Sequence, residues 1–299
     1  MLLNISGRTD IVAFYSTWLF KRLEAGYVDV RNPFYPKLVN RIYFKDVDAF
    51  VFCTKNPLPI LNRLKHDPNC IKKPMYFFIT LTPYKKDIEP NVIDKKLIIA
   101  GIKELAKIIG KENLAIRYDP IFLNDYYNLD YHLRAFSKLC SELKGCTEKI
   151  IVSFIDDYQN TRRHQDILKI KEFTLEDYQK IGLTFSRIAK ENNMAVQTCC
   201  EEHNLVEYGF LKEDCLSLNL AYRLTGKTNF KKWRARGKNC NCAMMVDIGY
   251  YNSCGHLCRY CYANYQEEQI KKNIACHDPN SSLLIGHLNK DDIIKERRA

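Results

Sequence analysis

Short apolar runs rich in β-branched residues alternate along this chain with longer segments of helical periodicity, and this alternation restricts the fold more than any other feature. The runs predict strands at 2–6, 49–54, 75–80, 114–118, 149–154, 194–198 and 244–248. The periodicity between them predicts helices at 11–25, 60–66, 95–109, 131–143 and 175–191. A helix between two strands returns the chain so that the next strand runs in the same direction. We therefore predict an α/β fold, with the strands arranged as a partial or full (β/α) barrel of the TIM type.

The length and composition suit one barrel domain. The chain has 299 residues, of which 46% are hydrophobic, and it contains no Gly/Ser-rich linker. We expect a single domain over 1–299, in which 200–243 is a Cys-rich insertion and 244–299 supplies a strand, a cysteine loop, a helix and a tail. There is no apolar run of about eighteen residues and no signal-peptide pattern. We therefore expect a cytoplasmic protein without membrane contact.

A compact cysteine loop lies near the C-terminus. Cys254, Cys258 and Cys261 have C-x3-C-x2-C spacing, and Tyr260 precedes the last thiol. Three thiolates can hold three irons of a 4Fe-4S cubane and leave the fourth iron open to a substrate or cofactor. Electron-transfer clusters and structural zinc sites, in contrast, usually take four ligands. A zinc site completed by His256 or by another cysteine is the alternative.

The remaining C-terminal cysteines predict a second metal site. Nine of the thirteen cysteines follow residue 198, and a large chain without an export signal is expected to keep its thiols reduced. Cys200, Cys215, Cys240 and Cys242 form a four-thiol set in the insertion, and Cys199 competes with Cys200 as a ligand. Such a set fits an auxiliary 4Fe-4S cluster that relays an electron, with zinc or oxidised thiols as alternatives.

Polar residues follow most of the predicted strands, where barrel enzymes place their active sites. The catalytic candidates are Arg8, Asp10, Lys55, Arg117 and Asp119. The cofactor-binding candidates are Ser6, Gly7, Thr80, Ser153 and Tyr260. Each strand-end residue also has a structural alternative as a cap or a turn. Asp10 can cap the helix that begins at residue 11, and Asp119 can form a turn with Pro120.

The charge distribution suits a polyanionic partner. The formal net charge is +11, and the densest basic stretch, 227–238, includes Phe230 and Trp233 among its lysines and arginines. Basic groups can bind phosphates and aromatic rings can stack on bases, so this stretch is compatible with nucleic acid. A solvated, Lys-rich connection is the preferred interpretation of this stretch, with nucleic-acid contacts as the alternative.

The cysteine loop resembles the signature loop of radical S-adenosylmethionine (SAM) enzymes. Nearly the whole chain resembles the domain-of-unknown-function 1848 family, through the stretches 6–11, 30–34, 54–57, 79–84, 117–121, 247–250, 254–264 and 277–279. This resemblance implies the radical SAM class and a relation to spore photoproduct lyase, a DNA-repair member of that class. It implies that SAM binds the open iron, that a reductant such as flavodoxin or ferredoxin supplies the electron, and that a deoxyadenosyl radical abstracts a hydrogen from the substrate.

The position of the cysteine loop along the chain differs from that in most radical SAM enzymes, in which the loop follows the first barrel strand. Here it follows the seventh predicted strand, so the resemblance implies a circularly permuted core with 2–6 as its second strand. On that mapping, 6–10 lies where the family grips the SAM amino group, although the usual Gly-Gly-Glu signature is absent. The substrate is open, with nucleic acid as one candidate. A non-enzymatic zinc- or Fe-S-stabilised nucleic-acid-binding protein is the alternative function.

Overall fold

A single parallel sheet organises the larger part of the protein. The computed structural model describes residues 1–233 and 240–297, so Arg234, Arg236 and Lys238 of the basic stretch lie outside the described residues. In chain order the strands are β1 (Leu2–Ile5), β2 (Tyr27–Arg31), β3 (Leu38–Tyr43), β4 (Ala49–Thr54), β5 (Met75–Thr80), β6 (Leu114–Ile121), β7 (Lys149–Phe154), β8 (Ala195–Thr198), β9 (Met245–Asp247) and β10 (Ile293–Glu296). Within the described residues, seven of them form the sheet β8-β7-β6-β5-β4-β1-β9.

Every pairing in this sheet is parallel, which confirms the predicted α/β class. The sheet is compatible with a partial α/β barrel. Its last strand in the sequence, β9, pairs with its first, β1, with Leu2 opposite Met245. The chain therefore adds the strand that precedes the cysteine loop beside its own N-terminal strand.

The helices connect successive strands, as the alternation predicted. They are α1 (Ile11–Phe14), α2 (Ser16–Ala25), α3 (Leu58–His66), α4 (Lys95–Ile109), α5 (Leu129–Glu142), α6 (Gln159–Arg163), α7 (Gln165–Leu168), α8 (Leu175–Glu191), α9 (Leu218–Thr225) and α10 (Glu267–Ala275). Side chains cap the N-termini of the longest ones, with Asp94 on α4, Asn128 on α5 and Thr174 on α8. The single helix predicted for 11–25 is instead two helices, which meet at Tyr15.

The two faces of the parallel sheet pack against different parts of the chain. On one face, alternate strand residues such as Phe52 and Ile116 pack against helix residues such as Trp18 and Phe136. We call this the helix face. On the other face, the intervening strand residues pack against α9 and against Cys215, Cys240 and Cys242. We call this the insertion face, because the Cys-rich segment covers it.

A second, three-stranded sheet with the order β10-β3-β2 was not predicted from the sequence. β2 and β3 form an antiparallel hairpin, and β10 adds in parallel to β3. All four residues of β10 are exposed, and its apolar run is only two isoleucines, too short to predict a strand from the sequence. Among the described residues, no helix is long and apolar enough to cross a membrane.

Candidate functional site

The cysteine loop forms a closed turn that follows β9. The Cys254 amide donates to Asn264 Oδ1 at 3.3 Å, and Asn264 Nδ2 donates back to the Cys254 carbonyl at 2.5 Å. The Asn252 amide donates to the Ala263 carbonyl at 2.8 Å. These bonds join the two ends of the loop, so 254–264 is held as one unit at the carboxyl edge of the parallel sheet.

The three thiols of the loop occupy one weakly solvated environment. Burial raises the pKa of Cys258 to about 12, although the neighbouring Lys55 charge favours the thiolate. Burial, followed by the charges of Asp10, Cys261 and Cys258, raises the pKa of Cys254 well above its usual value. Burial also raises the pKa of Cys261. A metal group bound to the three thiols would displace their protons and offset the effect of burial, because the thiolate is the form that binds metal.

A buried carboxylate that sequence reasoning missed, Glu89, anchors this loop to the sheet. Glu89 is 1% exposed and accepts hydrogen bonds from Lys55 Nζ at 2.8 Å and from Thr82 Oγ1 at 2.6 Å. The Lys95 ammonium and the Tyr260 hydroxyl also donate to it. Burial alone would raise the pKa of Glu89, but the Lys55 and Lys95 charges outweigh it and lower the pKa to about 2. The candidates Lys55 and Tyr260 are thus partners of one carboxylate.

Asp10 joins the loop after β1 to two other segments. Its Oδ1 accepts from the Ala13 amide at 2.9 Å, which is the helix cap that the sequence left open as an alternative. Its Oδ2 accepts from the Lys55 amide at 2.7 Å and from Thr54 Oγ1 at 3.0 Å. His256 of the cysteine loop lies 2.8 Å from the same oxygen through its Nε2. Asp10 therefore holds α1, the end of β4 and the cysteine loop together.

Asp247, which sequence reasoning also missed as a site residue, organises the other side of the loop after β1. It accepts from Ser6 Oγ at 2.9 Å and from the Gly7 amide at 2.6 Å, and Arg8 Nε is 3.9 Å away. The Gly7 carbonyl accepts from the Tyr262 hydroxyl. A Cβ at Gly7 would lie 3.3 Å from Asp247 Oδ2 and from that hydroxyl, so the approach favours glycine. The predicted cofactor-binding groups of Ser6 and Gly7 thus contact Asp247 and the cysteine loop.

The remaining candidates lie together on the insertion face at the ends of β5, β6 and β7. Arg117 Nε donates to Asp119 at 2.8 Å, and the Ser153 hydroxyl donates to the other oxygen of Asp119. Thr80 is the register partner of Arg117 on the neighbouring strand. Burial alone would raise the pKa of Asp119, but the Arg117 charge outweighs it and lowers that pKa. The structure therefore groups these four residues, as the strand-end pattern predicted.

The second group of thiols lies below this cluster, on the same face. Cys215 Sγ is 3.6 Å from Cys199 Sγ and 3.3 Å from Cys242 Sγ. Cys240 is also buried in this packing cluster. Cys200 is exposed and has a left-handed backbone with φ of 61°. Cys199 continues the alternation of β8 toward the insertion face, so of the two competing candidates Cys199 is the one that contacts Cys215.

No three His, Cys, Asp or Glu side chains in 1–233 and 240–297 converge closely enough to hold a single metal ion. A cubane cluster binds each cysteine to a different iron, so its ligands need not converge on one point. The donor set of the cysteine loop is three thiols with no carboxylate among them, which suits iron-sulfur chemistry. The residues present therefore fit such a cluster.

The geometry defines the class of this protein, an α/β protein with a three-thiol loop and buried polar networks at the carboxyl edge of a parallel sheet. The chain belongs to the family described as Domain of unknown function (DUF1848), whose model matches residues 2–263. It matches no curated protein and no solved structure.

Proposed function

We propose that this protein is a radical SAM enzyme that holds a 4Fe-4S cluster on Cys254, Cys258 and Cys261. The observation that carries the proposal is the position of these three thiols, with Cys258 buried and the other two partly buried, in a closed loop at the carboxyl edge of a parallel sheet. When bound and reduced, such a cluster cleaves SAM to a deoxyadenosyl radical that abstracts a hydrogen from the substrate. Flavodoxin or ferredoxin is the proposed class of electron donor.

The strand order supports a circularly permuted core. When β9 is taken first, the sheet reads β9, β1, β4, β5, β6, β7, β8 from one edge to the other, which is one continuous winding. The cysteine loop then follows the first strand of the winding, as the resemblance to radical SAM enzymes implies. β1 becomes the second strand, and its following loop contacts the cysteine loop through Gly7.

We propose that polar residues at the carboxyl edge of the parallel sheet hold the cofactor and the substrate in place. Glu89 holds the Lys55 ammonium and the Tyr260 ring beside the thiols, with Lys55 Nζ 5.6 Å from the centre of that ring. The positive charge of Lys55 favours thiolate at Cys258. Arg117 and Asp119 form a partly buried ion pair whose exposed atoms can contact polar groups of SAM or the substrate.

We further propose that Cys199, Cys215, Cys240 and Cys242 hold an auxiliary 4Fe-4S cluster under the Arg117 cluster. The grouping of these thiols on the insertion face supports this set, because Cys215 contacts Cys199 and Cys242 and Cys240 is buried in the same cluster, while Cys200 is exposed. Zinc is the alternative metal because thiols alone suit both. A cluster here could exchange an electron with a substrate radical above it.

The test is anaerobic reconstitution with iron and sulfide, followed by metal analysis and an assay of 5'-deoxyadenosine after addition of dithionite and SAM. We expect about eight irons per chain, as two 4Fe-4S clusters require. Cys258→Ala should abolish nucleoside formation, whereas Cys276→Ala, at an exposed cysteine outside both sets, should retain it. Zinc without iron, or iron without SAM cleavage, would overturn the proposal.

One observation favours the alternative function, a zinc-stabilised nucleic-acid-binding protein. His256 is 3% exposed, and its Nδ1 has no hydrogen-bond partner among the described residues. A histidine that contacts a carboxylate through one nitrogen often binds metal through the other, and Asp10 contacts Nε2 here. Zinc on the cysteine loop that is lost in His256→Ala would support this alternative, whereas iron that His256→Ala retains would support the cluster.

A further inference from the structure

A cleft of about 210 Å³ lies where the small sheet meets the β9 edge of the parallel sheet. Arg8 and Asp247 line it from the strand ends of the parallel sheet. The β2–β3 hairpin contributes Phe34, and Arg297 follows β10 at the opposite end of the chain. Trp233, from the basic stretch, completes the wall. The cleft thus combines arginines with large aromatic rings.

The positive charge in the cleft is only partly neutralised. A third lining arginine, Arg31, is paired through both terminal nitrogens with Asp292, at 2.5 and 2.6 Å. Arg8 is 3.9 Å from Asp247, whose oxygens already accept hydrogen bonds from four other groups. Within the described ranges, Arg297 forms no ion pair within 4.0 Å. Although much of Arg297 is exposed, desolvation and then the Arg8 charge lower its pKa. Two guanidinium groups therefore face a space that suits an anion.

The aromatic rings are presented by ordered backbone. Phe34 is 84% exposed, and its neighbour Tyr35 is 70% exposed. Asn32 Oδ1 accepts from both of their amides, at 2.9 and 3.1 Å, which fixes the turn that carries the rings. An exposed ring on a fixed turn is a suitable platform for another planar group.

The basic stretch is joined to the cleft by backbone hydrogen bonds. The Trp233 amide donates to the Cys242 carbonyl at 2.8 Å, and the Met244 amide donates to the Lys231 carbonyl at 2.8 Å. Lys231 and Lys232 are exposed beside this ladder. The aromatic and basic residues that were adjacent in the sequence therefore reach the same edge as Arg8.

One wall of the cleft is linked to the candidate site through a hydrogen bond. Arg8 directly follows Gly7, whose carbonyl accepts from the hydroxyl of Tyr262. Tyr262 in turn directly follows Cys261 of the cysteine loop. The Arg8 wall of the cleft is therefore joined to the cysteine loop through Gly7 and Tyr262.

We propose that this cleft binds a single strand of nucleic acid, with a phosphate at Arg8 and Arg297 and a base stacked on Phe34. Single-strand sites combine a basic groove with aromatic stacking platforms, and both are present here. An acidic peptide would use the arginines but would leave the fixed, exposed ring without a role. The inference names the substrate class of the proposed radical enzyme and rests on that function for the chemistry, while the binding itself needs no cluster.

The test uses the full-length protein and short fluorescein-labelled single-stranded DNA and RNA, titrated by fluorescence anisotropy at two salt concentrations. We expect binding that weakens at high salt, because phosphate contacts release counterions. Phe34→Ala should weaken binding by about tenfold, in line with one lost stacking contact, and Arg297→Ala should weaken it and reduce the salt dependence. Tyr222→Ala and Arg187→Ala, at exposed positions on α9 and α8, are the matched controls and should bind as the unsubstituted protein.

Several results would overturn the proposal. One is that neither oligonucleotide binds, and another is that Phe34→Ala binds as tightly as the unsubstituted protein. Equal competition by heparin or by an acidic peptide would also contradict it, because neither contains bases. If the protein loads iron and cleaves SAM but does not bind oligonucleotides, only the proposal for the cleft is wrong. If the protein binds oligonucleotides but does not cleave SAM, only the proposed radical chemistry is wrong.

Discussion

The two faces of the parallel sheet are made by the same strands but have different contents. On the helix face, rings pack in layers, as where Phe136 stacks on Phe185 with their centroids 3.7 Å apart. On the insertion face, the same strands present Arg117, Asp119 and Ser153 near their carboxyl ends, above a group of thiols. Side chains alternate along a strand, so one chain can build an apolar core and a polar site at once. The helix face therefore supports the fold, whereas the polar strand ends on the insertion face are available for chemistry.

The largest expected effect is on the free energy of unfolding, and it concerns the buried charge of Glu89 at the carboxyl edge of the parallel sheet. Glu89→Ala leaves the Lys55 and Lys95 ammonium groups without their buried partner, so it should lower the free energy of unfolding by about 3–5 kcal/mol. Glu104→Ala is the matched control, because Glu104 also bridges two lysines, Lys65 and Lys107, but on the surface. Urea denaturation of both variants measures the effect. Equal, small losses would show that the Glu89 network is no stronger than a surface pair.

The next effect concerns a titratable group on the helix face. His132 is fully buried, with ring nitrogens 2.9 Å from the Tyr118 hydroxyl and from the Phe122 carbonyl. Burial lowers its pKa to about 4, while the unfolded chain titrates near 6.5. The unfolded state then binds more protons below pH 6.5. The His132 contribution to stability is therefore present above that pH and is lost as the pH falls toward 4, by up to about 3 kcal/mol.

The measurement is the free energy of unfolding at pH 7 and pH 4.5 for the unsubstituted protein and His132→Gln. We expect a smaller pH dependence in His132→Gln. His66→Gln, at an exposed position on α3, should keep the full dependence. An unchanged pH dependence in His132→Gln would contradict the assignment of a neutral, buried imidazole to the helix face.

The smallest expected effect is a twofold change that separates two adjacent cysteines. Cys199→Ser should reduce the iron of the reconstituted protein by about half, because it removes a thiol that contacts Cys215, and one 4Fe-4S cluster would be lost. Cys200→Ser should retain the iron, since Cys200 is exposed. Iron analysis and the visible absorption spectrum measure both. Loss of iron in Cys200→Ser alone would return the ligand role to Cys200.

The sequence predicted the helix face better than the rest of the fold. The bounds of β4, β5, β7, α4 and α8 agree with the prediction, because each has a dense apolar pattern and an abrupt end. The small sheet was missed because its strands mix charged and apolar residues, as where Asp29 pairs with Arg41 across β2 and β3. The break at Tyr15 was missed because the apolar periodicity continues through it, and the hydrogen bond of the Tyr15 hydroxyl to the distant Ser253 carbonyl has no local signal.

The site was predictable where it depends on local spacing. The cysteine loop and the strand-end candidates were found because their signals lie within a few residues of each other. Glu89 and Asp247 were missed as site residues, because the partners that join them to the cysteine loop and to β1 lie far along the chain, as with Tyr260, 171 residues after Glu89. A lone acidic residue in a loop gives no local signal of burial. Cysteine spacing left Cys199 and Cys200 as competitors, whereas the alternation of β8 places Cys199 on the insertion face beside Cys215.

The pairing of β9 with β1 has a consequence for the protein during its synthesis. Asn4 and Asp247 are register partners, yet they are 243 residues apart. A ribosome that adds about 5–20 residues per second needs on the order of tens of seconds to cover that interval. Throughout that time one edge of the N-terminal strand has no neighbour, and an unpaired edge can pair with another nascent chain. Translation speed and chaperone access should therefore affect the yield of this protein more than the yield of one whose neighbouring strands are made in succession.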